Sequence, residues 1–233
     1  MRDAWRHFIA EFIGTFGLVF IGSGAIMSAG PSGSPTGIAL AHGLIFALMV
    51  TATMRISGHL NPAITAGFLV TGRIEPMMAA TYWVAQILGA VVAALALKGL
   101  FPAEAVQAAQ LGRQIIGSNV SLAQATGLEA VATFLLVFVV FGTAVDPKAP
   151  RVGGFAIGLA VTVGMLAIGP LTGGSMNPAR SFGPAAVMGA FDGQAAYWVG
   201  PLLGGIAAAL LYDQLFIRRD REPVDHGAIE PAE

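Results

Sequence analysis

The tripeptide Asn-Pro-Ala occurs twice in this chain, as Asn61-Pro62-Ala63 and Asn177-Pro178-Ala179, 116 residues apart. Each copy follows a Gly-containing stretch inside strongly apolar sequence. One copy alone reads as a turn and a cap, because Asn caps a helix well and Pro suits its first turn. Two copies at matching places demand more. They imply an internal duplication in which each half contributes a short helix that starts at its Asn.

The sequence around the motifs decides the solvent. Charged residues make up 11% of 233, against about 25% in soluble domains, and the mean hydropathy is +0.74. Residues 12–54 contain no Asp, Glu, Lys or Arg. Such a run holds two spans of about 20 residues each. Six spans are expected, at about 8–29, 36–56, 77–99, 123–144, 152–171 and 195–217. The apolar segments at about 62–71 and 178–188 are too short to cross. At about 1.5 Å per residue they reach halfway. Lipid cannot satisfy the non-helical backbone leading into them, so those loops must be buried in protein or line a wet cavity. The expected fold class is an all-α membrane protein of six transmembrane helices plus two re-entrant half-helices.

The duplication extends past the tripeptides. Glu11-x-x-x-Thr15-Phe16 returns as Glu129-x-x-x-Thr133-Phe134, and Tyr82-Trp83-Val84 returns as Tyr197-Trp198-Val199. Three spans per half put the second half upside down, so the half-helices enter from opposite faces. The repeats run from about 8 to 110 and from 121 to 217 within one domain over 1–233, with a charged tail at 218–233. Orientation follows from the 12 Lys and Arg. With the N-terminus inside, the inner segments hold Arg2, Arg6, Arg55, Arg73, Lys148, Arg151, Arg218, Arg219 and Arg221. The outer segments hold only Lys98, Arg113 and Arg180. That asymmetry places both termini in the cytoplasm.

Several classes are disfavoured. There are no cysteines, which removes disulfides and Cys-based metal sites. A net charge of −1 argues against nucleic acid. No nucleophile–base set or metal-ligand cluster is legible, so neither an enzyme nor a cofactor or metal is expected. The first apolar stretch lacks a small-residue cleavage site and reads as a span, not a signal peptide.

These features resemble the aquaporin (major intrinsic protein) family over about residues 8–217, and most closely the tonoplast aquaporins of plants and their ammonia-passing relatives. The resemblance rests on the double Asn-Pro-Ala, the repeated Glu, the run Gly173-Gly174-Ser175-Met176-Asn177-Pro178-Ala179-Arg180-Ser181-Phe182-Gly183-Pro184-Ala185, and Tyr197-Trp198-Val199-Gly200-Pro201. It implies one channel per subunit for water and small neutral solutes, a homotetramer, and a lipid bilayer as surroundings. Brief ends suggest a prokaryotic inner membrane.

Helix physics explains why a pore would use these residues. A half-helix N-terminus carries unpaired N–H groups and about half a positive charge. Two such ends facing one point oppose cations at mid-membrane. Asn61 and Asn177 would cap them and offer amide donors to a water oxygen, while carbonyls of Gly58, His59, Gly173, Gly174 and Ser175 would replace its hydration. Glu11 and Glu129 fit buried carboxylates that bind the re-entrant loops; a proton relay is the alternative. Arg180 fits a fixed charge at the outer constriction, or else a side chain snorkelling to the interface.

The resemblance also implies a four-residue filter. Met165 lies 12 before Asn177, Gly174 three before and Arg180 three after, and His42 occupies the second span with Ala41 as fallback. The loop Ser57-Gly58-His59-Leu60-Asn61 is one residue shorter than usual in the family. Ammonia-passing plant members carry a His in the outer loop between the halves, where Ser118 stands here. Glycerol facilitators carry Asp after the Arg, where this chain has Ser181. The expectation is a passive channel for water, with ammonia and hydrogen peroxide as further solutes and with protons and ions excluded. A facilitator of glycerol or metalloid hydroxides is the close alternative. A coupled transporter also uses inverted repeats, but neither half-helix junction supplies a carboxylate.

Overall fold

The computed structural model describes residues 3–30, 32–150 and 152–218. The predicted tail, together with Arg2, Arg151, Arg219 and Arg221, falls wholly or largely outside them. Among the described residues all regular structure is helical. The six long helices are α1 (Ala4–Ala29), α2 (Pro35–Thr53), α4 (Pro76–Leu100), α6 (Leu122–Val140), α7 (Phe155–Thr172) and α9 (Gln194–Tyr212). All six are long and apolar enough to cross a membrane. The short helices α3 (Pro62–Val70) and α8 (Pro178–Met188) follow the two Asn-Pro-Ala motifs. At nine and eleven residues they rise about 14 and 17 Å, half a bilayer core.

Sequence chemistry explains the boundaries. Asn61 and Asn177 both sit in extended backbone and accept, through their side-chain oxygens, from Ala63 N and Arg180 N, with Pro in the first turn of each helix. Ser121 and Gln124 form a capping box that starts α6. Wide helical turns extend α6 over Phe141–Val145 and α9 over Asp213–Arg218. The outer loop holds an additional short helix, α5 (Ala103–Ala108), and a tight turn at Gln110–Gly112 that the hydropathy pattern did not signal.

The packing follows the duplication. In each half the first and third long helices pair, α1 with α4 and α6 with α9, while α2 packs on α7 across the halves. Each half-helix packs against the third long helix of the opposite half, α3 on α9 and α8 on α4. Outward faces stay apolar and exposed, with Leu44, Leu48, Val131, Leu135 and Val163 among them. Lipid is the solvent such faces suit.

Candidate functional site

The two half-helices meet end to end. Asn61 Nδ2 donates to the Met176 carbonyl and Asn177 Nδ2 donates to the Leu60 carbonyl, both at 2.8 Å. Leu60 and Met176, the residues before each Asn, both take left-handed backbone, at φ 51 and 52. That conformation is costly for a branched or long side chain and persists only where the surroundings impose it. One amide hydrogen of each Asn is thus spent on the opposite loop, and the second remains to face the cavity that both Asn residues line.

Two carboxylates hold the loops in that shape. Glu11 accepts from Ser57 Oγ, from Gly58 N at 3.0 Å, His59 N at 2.8 Å and Leu60 N at 2.7 Å, and from Gln86 Nε2 at 2.6 Å. Glu129 accepts from Thr172 Oγ1 at 2.7 Å, Ser175 N at 2.9 Å and Met176 N at 2.6 Å. Both are fully buried. Five hydrogen bonds to Glu11 and three to Glu129, most of them from loop backbone or loop side chains, tie each carboxylate to the re-entrant loop of its own half.

The four residues singled out for a constriction come together around one narrow space. His42, Met165, Gly174 and Arg180 line a cavity of about 10 Å³ that also touches Asn61 and Asn177. That is about the room one water needs. Arg180 is 2% exposed and its Nη2 lies 2.8 Å from His42 Nε2. His42 Nδ1 lies 2.8 Å from the Ile38 carbonyl. A carbonyl accepts only, so Nδ1 carries the proton and Nε2 is the acceptor for Arg180. Ala41, the fallback position, is half-buried and lines none of these cavities. Snorkelling does not describe Arg180, whose guanidinium is enclosed by protein. Gly174 lies against Met165, whose Cγ would sit 3.3 Å from any Cβ added there.

Wider spaces lie on either side. An outer cavity of about 380 Å³ shares Met165 and Arg180 with the constriction and is walled by Ile26, Ile38, Gly173 and Gln114. An inner cavity of about 250 Å³ is lined by Gly58, His59, Phe68, Arg73 and Tyr82. The five residues whose carbonyls were expected along a path therefore divide. Gly58 and His59 lie at the inner mouth, Gly174 and Ser175 at the constriction, and Gly173 at the outer mouth.

Gln114 was missed by sequence reasoning. It is 2% exposed, and neither its amide oxygen nor its nitrogen has a protein partner. It reaches the outer mouth because Gly173, at φ 80, leaves room for it; a Cβ on Gly173 would lie 3.0 Å from Gln114 Cα. Ser118, which stands where ammonia-passing relatives carry an outer-loop His, is exposed. The turn at Gln110–Gly112 dips inward and buries Leu111, which brings Gln114 to the mouth and leaves Ser118 outside. The one available signal was a neutral amide between Arg113 and the apolar pair Ile115-Ile116.

The comparisons agree with this architecture. The family model described as Major intrinsic protein matches residues 1–212. The chain is similar to "Aquaporin TIP4-4" of Zea mays, 45% identical over 91% of this chain and 87% of that protein. It is also similar to "Probable aquaporin TIP3-2" of Arabidopsis thaliana, 40% identical over 98% and 90%. Among solved structures it resembles the aquaglyceroporin from Plasmodium falciparum with a TM-score of 0.81 and 25% identity, over 94% of this chain and all of that one. Relatives of the tonoplast type match the resemblance expected from the motifs, and being plant proteins they give no support to a prokaryotic inner membrane. With two crossed Asn-Pro-Ala half-helices inside six apolar helices, this chain belongs to the major intrinsic protein family, the aquaporins.

Proposed function

We propose that this protein is a passive channel for water that also passes ammonia and hydrogen peroxide and excludes protons and ions. The observation that carries the reading is the 10 Å³ constriction, where Arg180 and the two Asn amides meet around room for one water. A molecule passing there sheds its shell and finds donors from Asn61, Asn177 and Arg180, with acceptors along the loop. A water held by both Asn donors points its own hydrogens away from the centre on each side. A hydrogen-bonded proton wire is thereby interrupted. Cations meet the positive ends of α3 and α8 and the Arg180 charge.

Ammonia follows from the wall. His42 has its acceptor nitrogen tied to Arg180, so it presents a ring edge, and Met165 opposes it with a soft apolar side chain. Gly174 leaves backbone accessible. A mixed wall of this kind favours a small neutral molecule that needs few partners. The glycerol or metalloid alternative needs a wider opening than this one. The two plant relatives, at 45% and 40% identity, are both named aquaporins and support the water reading; the aquaglyceroporin structure is 25% identical.

The reading includes one channel domain with repeats at about 8–110 and 121–217, both termini in the cytoplasm, and a homotetramer. An apolar groove of about 580 Å³ between α6 and α7, lined by Leu135, Leu159, Val163 and Ala167, is the kind of face that a neighbouring subunit or lipid covers. The test is light scattering and internal pH in proteoliposomes under gradients of water, ammonia, peroxide and glycerol. The first three should cross faster than in empty vesicles and glycerol should not. Rapid glycerol entry would replace this reading with the facilitator.

A further inference from the structure

The far ends of the two half-helices carry a matched device. Each ends in the same cap. Gly72 N donates to Leu69 O and Arg73 N to Phe68 O after α3; Gly189 N donates to Ala186 O and Ala190 N to Ala185 O after α8. This closure satisfies two carbonyls and leaves the last two of each helix without helical partners. In both helices a cation reaches one of them. Arg73 Nη1 donates to Thr71 O at 3.4 Å, and Lys98 Nζ donates to Val187 O at 3.5 Å. Thr71 and Val187 are both the tenth residue after their Asn; Thr71 directly precedes its cap glycine, Gly72, and Val187 stands two before Gly189.

The cations arrive by related routes. Lys98 is on α4 and supplies its own ammonium. The duplication relates it to Asp213, 115 residues on, the same shift that relates Tyr82 to Tyr197. Asp213 supplies no cation but holds one. Its carboxylate, 3% exposed, lies 2.7 Å from Arg73 Nη2 and also receives Arg218 Nε at 2.6 Å. Phe141 backs the same guanidinium, with its ring centre 5.6 Å away. The close packing midway along each half-helix is matched as well. Gly67 faces the Gly205 carbonyl and Gly183 faces the Ala90 carbonyl, positions related by the same shifts.

We propose that Lys98 and Asp213 are equivalent positioning residues that set the depth of the half-helices, Lys98 directly and Asp213 through Arg73. A cation at the negative end of a helix stabilises it there. Fixing it to the opposite half's third span stops the half-helix from sliding along that span. Asn61 and Asn177 lie at the other ends of the same short rods, so a shift at Thr71 or Val187 reaches them undiminished. Neither Lys98 nor Asp213 lines the constriction. The inference rests on the channel reading, which wild-type water flow tests separately.

The experiment is a cycle of Arg73→Gln, Asp213→Asn and the double variant, with Arg73→Lys, Lys98→Met and Lys98→Arg beside them. Each is purified, sized and reconstituted at equal channel density. Water permeability and the thermal midpoint in detergent are then measured. Arg73→Gln, Asp213→Asn and Lys98→Met should each lower water permeability about two- to five-fold, the range set by one charge at a helix end. The double variant should be no worse than the poorer single, because Asp213 acts through Arg73. Arg73→Lys and Lys98→Arg should restore most of the flow, which a loss of packing alone would not allow. If Asp213→Asn fails to fold, the Lys98 pair, at the surface, and the Arg73 pair, half-buried at the inner mouth, still decide. Multiplying defects in the double variant, or Arg73→Lys as poor as Arg73→Gln, would overturn the proposal. Unchanged flow in all the singles would overturn it too. A wild type that passes no water would sink the channel reading, and the thermal midpoints would then judge the clamp alone.

Discussion

Arg180 donates to His42 beside the small cavity that Asn61 and Asn177 also line, Nη2 to Nε2 at 2.8 Å, while the other nitrogen of the imidazole is tied to the Ile38 carbonyl. The bond fixes the His42 tautomer and points the guanidinium into the path. It also leaves Arg180 Nη1 buried without a protein partner. A passing solute is the natural acceptor for that hydrogen.

Arg180→Val removes both the charge and the partner of His42. A unit charge 4 Å away costs a cation about 4 kcal/mol at an effective dielectric of about 20. Cation and proton leak should therefore rise on the order of 1,000-fold, and solute discrimination should fall. Proton and potassium flux into proteoliposomes measure this. A folded variant with unchanged leak would show that Arg180 is not the outer charge barrier.

Met165→His makes the wall opposite His42 more polar and narrower. Ammonia entry should fall more than water flow. Vesicle alkalinisation in an inward ammonium gradient reads the first, and light scattering the second. In the unmodified channel, entry should rise with external pH because only the neutral form crosses. Alkalinisation no faster than in empty vesicles would leave a water-selective channel. Ammonia flux untouched by the substitution would move the filter away from Met165.

Glu11→Gln and Glu129→Gln should destabilise the protein, because an amide nitrogen cannot accept from the loop donors. Each buried donor left unpaired costs about 1–3 kcal/mol. Glu11 takes hydrogen bonds from Ser57, Gly58, His59, Leu60 and Gln86. Among the described residues Glu129 takes them from Thr172, Ser175 and Met176. The thermal midpoint should fall further for Glu11→Gln. Equal midpoints to wild type in both variants would contradict an anchoring role.

Most of this arrangement is legible in the sequence because it is written twice. A repeated Asn-Pro-Ala at membrane hydropathy leaves few folds, and residues counted from Asn177, such as Met165, Gly174 and Arg180, stay in register because helix and loop lengths fix them. His42 is harder, since it lies on another helix behind a shortened loop, yet its contact with Arg180 places it at the same constriction. Gln114 is not legible. Its burial depends on a turn with left-handed Gln110 and Leu111, and on Gly173 yielding space; hydropathy carries none of this. The Asp213–Arg73 pair also escapes, because opposite charges at 140 residues' separation meet only when α3 packs on α9.

The most direct test measures water flow and proton current on the same proteoliposomes. Osmotic shrinkage should be much faster than in protein-free vesicles, while a pH gradient imposed on the same preparation decays no faster than in the controls. Water flow indistinguishable from bare lipid would contradict the account. So would rapid water flow accompanied by a sizeable proton current, because the crossed Asn61 and Asn177 ends would then not interrupt the water chain they enclose.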